Sequence, residues 1–297
     1  MSVQELEELA ARVRDSVGPS VVGIGRGWGT GSGVVVGAGQ VLTNAHNLAG
    51  APGGAVAVTF ADGRTSTAEA VASDIDGDLA VVRVDTGGTP AVGWAGAPAS
   101  TGAVVVAAAN PGGRGLRVTL GQVSSVTGTF RTMRGRLVRG SLEHTAPLVR
   151  GSSGSPLLDR AGRLVGLNTN RLGEGFYAAL PADARLRARV DRLGRGEATV
   201  SRHLGVGLVP GKAARQLRRA VGLPDRDGIL VRVVEEDSPA AASGLRRGDL
   251  VVAAGGRPVA SVDDLHVALD ALGDDEALVL EVVRGADELT ISVELAA

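Results

Sequence analysis

Three segments of this chain carry side chains that, brought together, could activate an alcohol for attack on a carbonyl. They are Leu42-Thr43-Asn44-Ala45-His46, Asp76-Gly77-Asp78-Leu79-Ala80-Val81-Val82 and Gly151-Ser152-Ser153-Gly154-Ser155-Pro156. A serine hydroxyl is a poor nucleophile at neutral pH. It needs an imidazole within hydrogen-bond reach, and the imidazole needs a carboxylate to fix its tautomer and stabilise its charge. His46, Asp78 and Ser153 supply one of each. Ser152 and Ser155 are rival nucleophiles; Ser153 is favoured because it lies centrally between two glycines. A tetrahedral intermediate carries an oxyanion, which needs N–H donors converging from a tight turn. Gly151 and Gly154 permit such a turn, and the amides of Gly151 and Ser153 are the expected donors. Read alone, Gly-Ser-Ser-Gly is equally well a flexible loop. The upstream His and Asp segments, each set in strand-like sequence, favour the chemical reading.

Other residues compete for these roles. His144 lies nine residues before Ser153, without the strand-and-Asn setting of His46; His203 falls in a connecting region and His266 on a helix. Each reads as surface or local structure. Asp74, Asp76 and Asp78 alternate as in a calcium loop, but the sixth position is Leu79 where glycine is needed, and a strand follows. Gly29-Thr30-Gly31-Ser32-Gly33 invites a dinucleotide reading, yet the β-branched run Val34-Val35-Val36 follows where a helix is required. No cofactor and no metal are expected.

The three segments resemble the HtrA (Do-like) serine proteases, a chymotrypsin-fold family whose patterns are Thr-Asn-Ala-His-Val, Asp-Leu-Ala-Val, Gly-Asn-Pro and Gly-Asn-Ser-Gly-Gly-Pro. Here they stand as Thr43-Asn44-Ala45-His46-Asn47, Asp78-Leu79-Ala80-Val81, Asn110-Pro111-Gly112 and Gly151-Ser152-Ser153-Gly154-Ser155-Pro156. The order His, Asp, Ser is the chymotrypsin order. Ser152 replaces the usual Asn and Ser155 a Gly; neither change removes a triad atom. The resemblance runs from about Pro19 to the end. It implies His46 as base, Asp78 as its orienter and Ser153 as nucleophile. It also implies a role for Leu148, five residues before Ser153, in the specificity pocket. The strand Phe176-Tyr177-Ala178-Ala179-Leu180 is a second expected wall, through Ala178 and Ala179. No Asp falls at the expected pocket base, so cleavage after Val, Ala or Leu is anticipated rather than after Lys or Arg. Unfolded or damaged proteins are the implied substrates. The rival reading is a peptide-binding scaffold or chaperone with a latent site.

The elements that must position these residues are short Val-rich runs between glycines. With 44% hydrophobic residues, 45 glycines and only 2% aromatics, the core must be built from Val, Leu and Ala. Val21–Ile24, Gly33–Val36, Val56–Phe60, Leu79–Val84, Val104–Ala108, Leu116–Val123 and Leu164–Asn168 read as strands with no long helix between them. That pattern predicts antiparallel barrels rather than a doubly wound sheet. Two barrels would place His46 and Asp78 on the first and Ser153 on the second. Ahead of them, Ser2 and Glu5 form a capping box for an amphipathic helix carrying Leu6, Leu9, Ala10, Val13 and Val17 on one face, ended by Gly18-Pro19.

Four segments follow: an N-terminal helix (1–18), a trypsin-like domain (19–190), a linker (191–202) that includes part of the helix-prone Arg185–Arg195 run, and a second module (203–297). The module resembles a PDZ domain, giving a mainly β protein with a small α+β domain at its end. Its marks are His203-Leu204-Gly205-Val206, Asp237-Ser238-Pro239 running to Gly244-Leu245, and Arg247-Gly248-Asp249-Leu250. Ser238 suits a helix N-cap, Pro239 its first position and Gly244 its left-handed end. A longer helix starts at Ser261, with Asp264 completing the cap and Val262, Leu265, Ala268, Leu269 and Leu272 in its apolar stripe. A PDZ domain captures a peptide C-terminus by strand addition and backbone N–H groups, which the resemblance assigns to Leu204, Gly205 and Val206.

Thirty arginines stand against one lysine, and the net charge is −1, so nucleic acid is not an expected partner. Arg131, Arg134, Arg136 and Arg139 read as a solvated hairpin. The resemblance implies a homotrimer. With no cysteine, disulfides and thiolate metal sites are excluded. The sequence as it stands shows no signal-like segment, which suggests the cytoplasm; a chain that has lost a leader would be periplasmic, secreted or membrane-tethered.

Overall fold

The computed structural model describes residues 2–25, 30–49, 55–131, 137–197, 204–223, 225–272 and 276–295. His203, Arg134, Arg136 and the 198–202 part of the expected linker lie outside the described residues. The chain divides into two compact units, Met1–Thr199 and Val200–Ala297.

The first unit opens with helix α1 (Val3–Ser16), started by the expected capping box: Glu5 N–H donates to Ser2 Oγ (3.2 Å) and Ser2 N–H to Glu5 Oε2 (2.6 Å). Leu9 and Val13, one helical turn apart, are its buried residues. They share a core cluster with Val106, Leu158 and Leu164. Six strands follow: β1 (Val21–Ile24), β2 (Gly31–Gly37), β3 (Gln40–Thr43), β4 (Ala55–Thr59), β5 (Thr65–Asp74) and β6 (Leu79–Arg83). They close into an antiparallel barrel in the order β1-β2-β3-β6-β5-β4, with Gly23 opposite Thr59 and Ile24 opposite Val58 at the seam. The second barrel contains β7 (Val104–Ala109), β8 (Arg117–Arg131), β9 (Leu137–His144), β10 (Pro156–Leu158), β11 (Leu164–Gly173) and β12 (Phe176–Pro181). It closes in the order β10-β11-β12-β9-β8-β7, with Leu157 opposite Ala107. Closure leaves neither sheet with an unpaired edge. The short β-branched runs suit these strands because their side chains pack well on a pleated surface. Small residues such as Ala107, Ala108, Ala178 and Ala179 fill narrow parts of the interior, all essentially fully buried.

Helix α2 (Ala184–Gly194) is capped by Asp183, whose Oδ1 accepts from Leu186 N–H (2.8 Å). Leu186, Val190 and Leu193 recur at helical spacing and are buried in the same cluster as Leu42, Leu79 and Val81. This packing brings Arg189 onto Asp74 at the end of β5, where the two form an ion pair.

The second unit is a sheet in the order β13-β14-β15-β17-β18, with the short β16 paired to β15. Its strands are β13 (Val206–Val209), β14 (Ile229–Val234), β15 (Leu250–Ala254), β16 (Arg257–Pro258), β17 (Leu278–Arg284) and β18 (Asp287–Val293). Helices α3 (Gly211–Ala220), α4 (Pro239–Ala242) and α5 (Val262–Ala271) accompany it. The expected caps form: Ser238 Oγ accepts from Ala241 N–H, and Ser261 with Asp264 makes a capping box. Leu265, Ala268 and Leu269 of α5 pack with Ile229, Val251 and Leu280. Helix α3 has no counterpart in the sequence reading. Among the described residues, no helix is long and apolar enough to cross a membrane.

Candidate active site

His46 lies on a single 3-10 turn (Ala45–Leu48) that leaves the end of β3. Asp78 immediately precedes β6, the strand paired with β3, so strand pairing delivers the two residues to the same end of the first barrel. Asp78 adopts φ +52°, a left-handed conformation unusual for a residue other than glycine. Its carboxylate faces His46 Nδ1 with both oxygens, at 2.8 and 2.9 Å, and Oδ1 also accepts from His46 N–H at 3.1 Å. Only 5% of Asp78 is exposed. A carboxylate so covered must be met by donors to remain charged. Thr169 Oγ1 is a further one, donating to Oδ2 at 2.9 Å. Asn44 anchors the same residue from behind, its Nδ2 donating to the Asp78 carbonyl (2.9 Å). The remaining acids of this loop are otherwise engaged: Asp74 accepts from Gly77 N–H (2.8 Å) and pairs with Arg189. No group of three or more His, Cys, Asp or Glu residues able to hold a metal ion occurs among the described residues.

Ser153 sits on the turn before β10. Gly151 (φ +88°) and Gly154 (φ +85°) both take left-handed conformations. A Cβ on Gly154 would lie 2.2 Å from the Ser32 carbonyl oxygen and 2.5 Å from Thr43 Oγ1, so only glycine fits. The turn is bonded to both barrels. Ser32 N–H (2.9 Å) and Asn47 Nδ2 (2.9 Å) donate to the Ser153 carbonyl. Ser32 Oγ donates to the Gly151 carbonyl at 2.9 Å and accepts from Asn110 N–H at 3.1 Å. Gly154 N–H donates to the Asn168 carbonyl (2.7 Å), and Asn168 N–H donates to the Ser155 carbonyl (2.9 Å). Among the described residues, no protein acceptor takes the amide hydrogens of Gly151 or Ser153. Ser152 Oγ is buried without a partner, which leaves Ser153 as the part-exposed hydroxyl of the turn. Ser153 Oγ donates to the Thr169 carbonyl (2.8 Å), and no hydrogen bond joins it to His46 among the described residues. The hydroxyl is thus engaged with β11 rather than with His46.

Beside Ser153 lies a cavity of about 340 Å³ whose lining includes Leu148, Gly151, Thr169 and Tyr177, with Arg150 and Arg171 but no carboxylate. Ala178 and Ala179 are not among the residues lining this cavity. Both are fully buried in β12, packed into two different core clusters, and Tyr177 takes the wall.

Sequence reasoning missed Thr169, Ser32 and Asn47. Thr169 follows Asn168 in a run whose only visible signal was strand propensity. Its partner Asp78 is 91 residues away. Asn47 stands where the family pattern has an apolar residue, and that substitution was the available clue. His144, discounted as base, is fully buried and stacks on Tyr177, with ring centroids 5.7 Å apart. Burial lowers its pKa from 6.5 to about 4, opposed by the hydrogen bond to Asn168.

That shift fixes the sign of a pH effect. Above pH 6.5 the ring is neutral folded or unfolded and contributes nothing. Between pH 6.5 and about 4 the unfolded chain takes a proton that the folded chain refuses, so stability falls with pH. The total loss reaches about 3 kcal/mol below pH 4. Urea unfolding at pH 7.0 and 4.5 should show this loss in the wild type, and His144→Gln should remove that part of it.

In the second unit, Leu204 is buried, Gly205 adopts φ +74°, and the Gly205 carbonyl accepts from Glu235 N–H (2.9 Å). Leu204 and Gly205 lead into β13, which begins at Val206 and, among the described residues, pairs only with β14, leaving its other edge open.

Residues 31–167 match the trypsin-like peptidase domain family and residues 203–295 the PDZ domain family. The chain is 33% identical over 287 residues to the putative serine protease HhoA of Synechocystis, covering 90% of this chain and 71% of that one. It is 32% identical over 283 residues to the mitochondrial serine protease HTRA2 of Bos taurus, covering 89% and 59%. Against the probable periplasmic serine endoprotease DegP-like of Halomonas elongata it is 30% identical over 271 residues, covering 89% and 55%. It thus spans a little over half the length of the latter two. The HtrA-type protease AlgW, solved with a decapeptide, superposes with a TM-score of 0.75 at 25% identity, over 97% of this chain and 98% of that one. The serine endoprotease of Yersinia pestis gives 0.73 at 25% identity over 97% of each. With barrels, site segments and second unit all matched, the chain belongs to the HtrA (Do-like) family of serine proteases.

Proposed function

We propose that this chain is an endopeptidase acting on unfolded proteins, with Ser153 as nucleophile, His46 as general base and Asp78 as the residue that orients it. The observation that carries the reading is the two-oxygen grip of Asp78 on His46 Nδ1, at 2.8 and 2.9 Å. With Nδ1–H committed to the carboxylate, the lone pair sits on Nε2, where an incoming serine proton must go. Ser153 Oγ rotates from the Thr169 carbonyl toward Nε2, loses its proton and attacks the peptide carbonyl. The oxyanion is received by the amides of Gly151 and Ser153, which have no protein acceptor of their own. His46 then returns the proton to the leaving amine, and water repeats the cycle to release the acyl group. The PDZ-like unit takes a peptide C-terminus along the open edge of β13, with its carboxylate at Leu204-Gly205-Val206. AlgW's solution with a bound decapeptide supports peptide recognition in this architecture. By family likeness we assign a homotrimer. The cysteine-free chain suits the cytoplasm suggested by its sequence, while the relatives named periplasmic favour the envelope; cell fractionation separates the two.

Ser153→Ala should abolish β-casein cleavage and fluorophosphonate labelling while leaving the unfolding midpoint unchanged. Loss of a triad member removes on the order of 10⁴-fold or more in rate. A dead Ser152→Ala beside an active Ser153→Ala would shift the nucleophile by one residue. An unlabelled but folded wild type would favour the scaffold reading.

Cleavage should fall after Val, Ala, Leu or similar residues, because the cavity is modest and carries no carboxylate to receive a basic side chain. Mass spectrometry of casein fragments dominated by cuts after Arg or Lys would overturn this assignment.

A peptide ending in free Val or Leu should bind the full chain with roughly micromolar affinity, about −8 kcal/mol, and its amidated form far more weakly. Calorimetric titration of Ser153→Ala with both forms checks this; equal affinities would rule out carboxylate capture at Leu204-Gly205-Val206.

A further inference from the structure

Against the Ser153 turn lies a buried polar chain that the proposed mechanism does not use. Asn168 Nδ2 donates to Ser155 Oγ (2.9 Å) and to the Pro156 carbonyl (3.3 Å). A carbonyl can only accept, so this contact fixes the orientation of the Asn168 amide. Its Oδ1 is then the atom that faces His144 Nε2 at 2.9 Å, and Nε2 must carry the proton. Nδ1 is left as a buried acceptor with no partner. His144, Ser155 and Asn168 are each fully buried. The site's low polarity keeps the ring neutral near pH 7, as its pKa of about 4 requires.

The same Asn168 holds the turn through its main chain, by the bonds from Gly154 N–H and to the Ser155 carbonyl. The next residue, Thr169, contacts both Ser153 Oγ and Asp78. The His144 ring in turn stacks on Tyr177 at the cavity wall. Ser155 is a departure from the family pattern, which has glycine there, and its side chain supplies the oxygen that completes the chain.

We propose that His144 is a positioning residue for the nucleophile, holding the Ser153 turn through Asn168 and Ser155. The inference rests on the assignment of Ser153 as nucleophile. Stability does not call for an imidazole here. A phenylalanine would fill the same space against Tyr177 and remove the unpartnered Nδ1, but it would leave Asn168 Oδ1 without its donor, so the exchange trades one orphaned buried acceptor for another at similar cost. A local cost of this kind is expected where a structure serves a site rather than its own stability. What the imidazole supplies, and an apolar ring cannot, is the Nε2–H that pins Asn168.

The test measures the kcat and KM of the full chain on β-casein, the fluorophosphonate labelling rate and the unfolding midpoint. His144→Phe should lower kcat and labelling about tenfold to a hundredfold, the scale of a small misplacement of a reacting group, with KM within about twofold and little change in midpoint. His144→Gln keeps an N–H donor and should restore most of the rate. Ser155→Ala, which deletes one oxygen, should lower kcat several-fold and add nothing to His144→Phe, since groups in one network are not additive. Full kcat in His144→Phe would overturn the proposal. So would a kcat loss matched by a fallen midpoint in both His144→Phe and Ser155→Ala, or full additivity of the two. Ser153→Ala run alongside isolates the underlying assignment: if that variant still cleaves, the nucleophile is wrong, whatever His144 does.

Discussion

The two barrels of the first unit meet through main chain, at Ser153 and Gly154, and the site depends on that approach. Ser32 N–H on β2 donates to the Ser153 carbonyl, and the Ser32 carbonyl lies where a Cβ of residue 154 would be. Any side chain at 154 would drive the barrels apart or unmake the turn, and its left-handed φ adds strain for every residue but glycine. The proposed nucleophile is therefore placed by a contact between domain-scale bodies rather than by a local loop preference. This explains why so many donors converge on one carbonyl. Ser32 N–H, and Asn47 Nδ2 backed by its contact to Thr43 Oγ1, hold the junction from the first barrel. The chain from Asn168 holds it from the second.

Asp78 meets a related constraint with a different solution. Its carboxylate is almost wholly out of water, and an uncompensated charge there would cost several kcal/mol. His46 N–H and Nδ1 and Thr169 Oγ1 satisfy it. Because Thr169 belongs to β11, the second barrel takes part in holding the carboxylate of the first. The left-handed backbone at Asp78 is kept by the loop before it, where Asp74 caps Gly77 N–H and is itself paired with Arg189 on α2. A residue in that conformation persists only where its surroundings over-determine it.

What the sequence disclosed and what it withheld divide along this line. The His46, Asp78 and Ser153 segments are contiguous and carry their own signals: a glycine-flanked serine, an acid entering an apolar strand, a histidine leaving one. Strand-rich barrels and the caps at Ser2, Ser238 and Ser261 are also local, set by period-two alternation and by side-chain oxygens three residues from their donors. Thr169, Ser32 and Asn47 act across 78 to 119 residues of sequence; apart from the polar residue at 47, where the family pattern is apolar, nothing in their neighbourhoods points to a partner. The placement of Ala178 and Ala179 has a related cause. Strand propensity places both residues on β12, but only the assembled barrel decides that their small side chains fill its interior and that Tyr177 faces the cavity.

His144 shows how the local and the tertiary readings part. By sequence it is a histidine near the turn without the setting of a base. Its environment gives it another part to play. The ring keeps one proton, on the nitrogen that faces Asn168, and burial opposes a second. The donor is thus available to the turn throughout the neutral range. Above pH 6.5 the two ionisable rings of the site then have separate tasks. In the proposed mechanism His46, with its Nδ1 on a carboxylate and a fifth of its side chain exposed, is the ring that carries the proton from serine to leaving group. His144, enclosed and without a counter-charge, is placed to hold one.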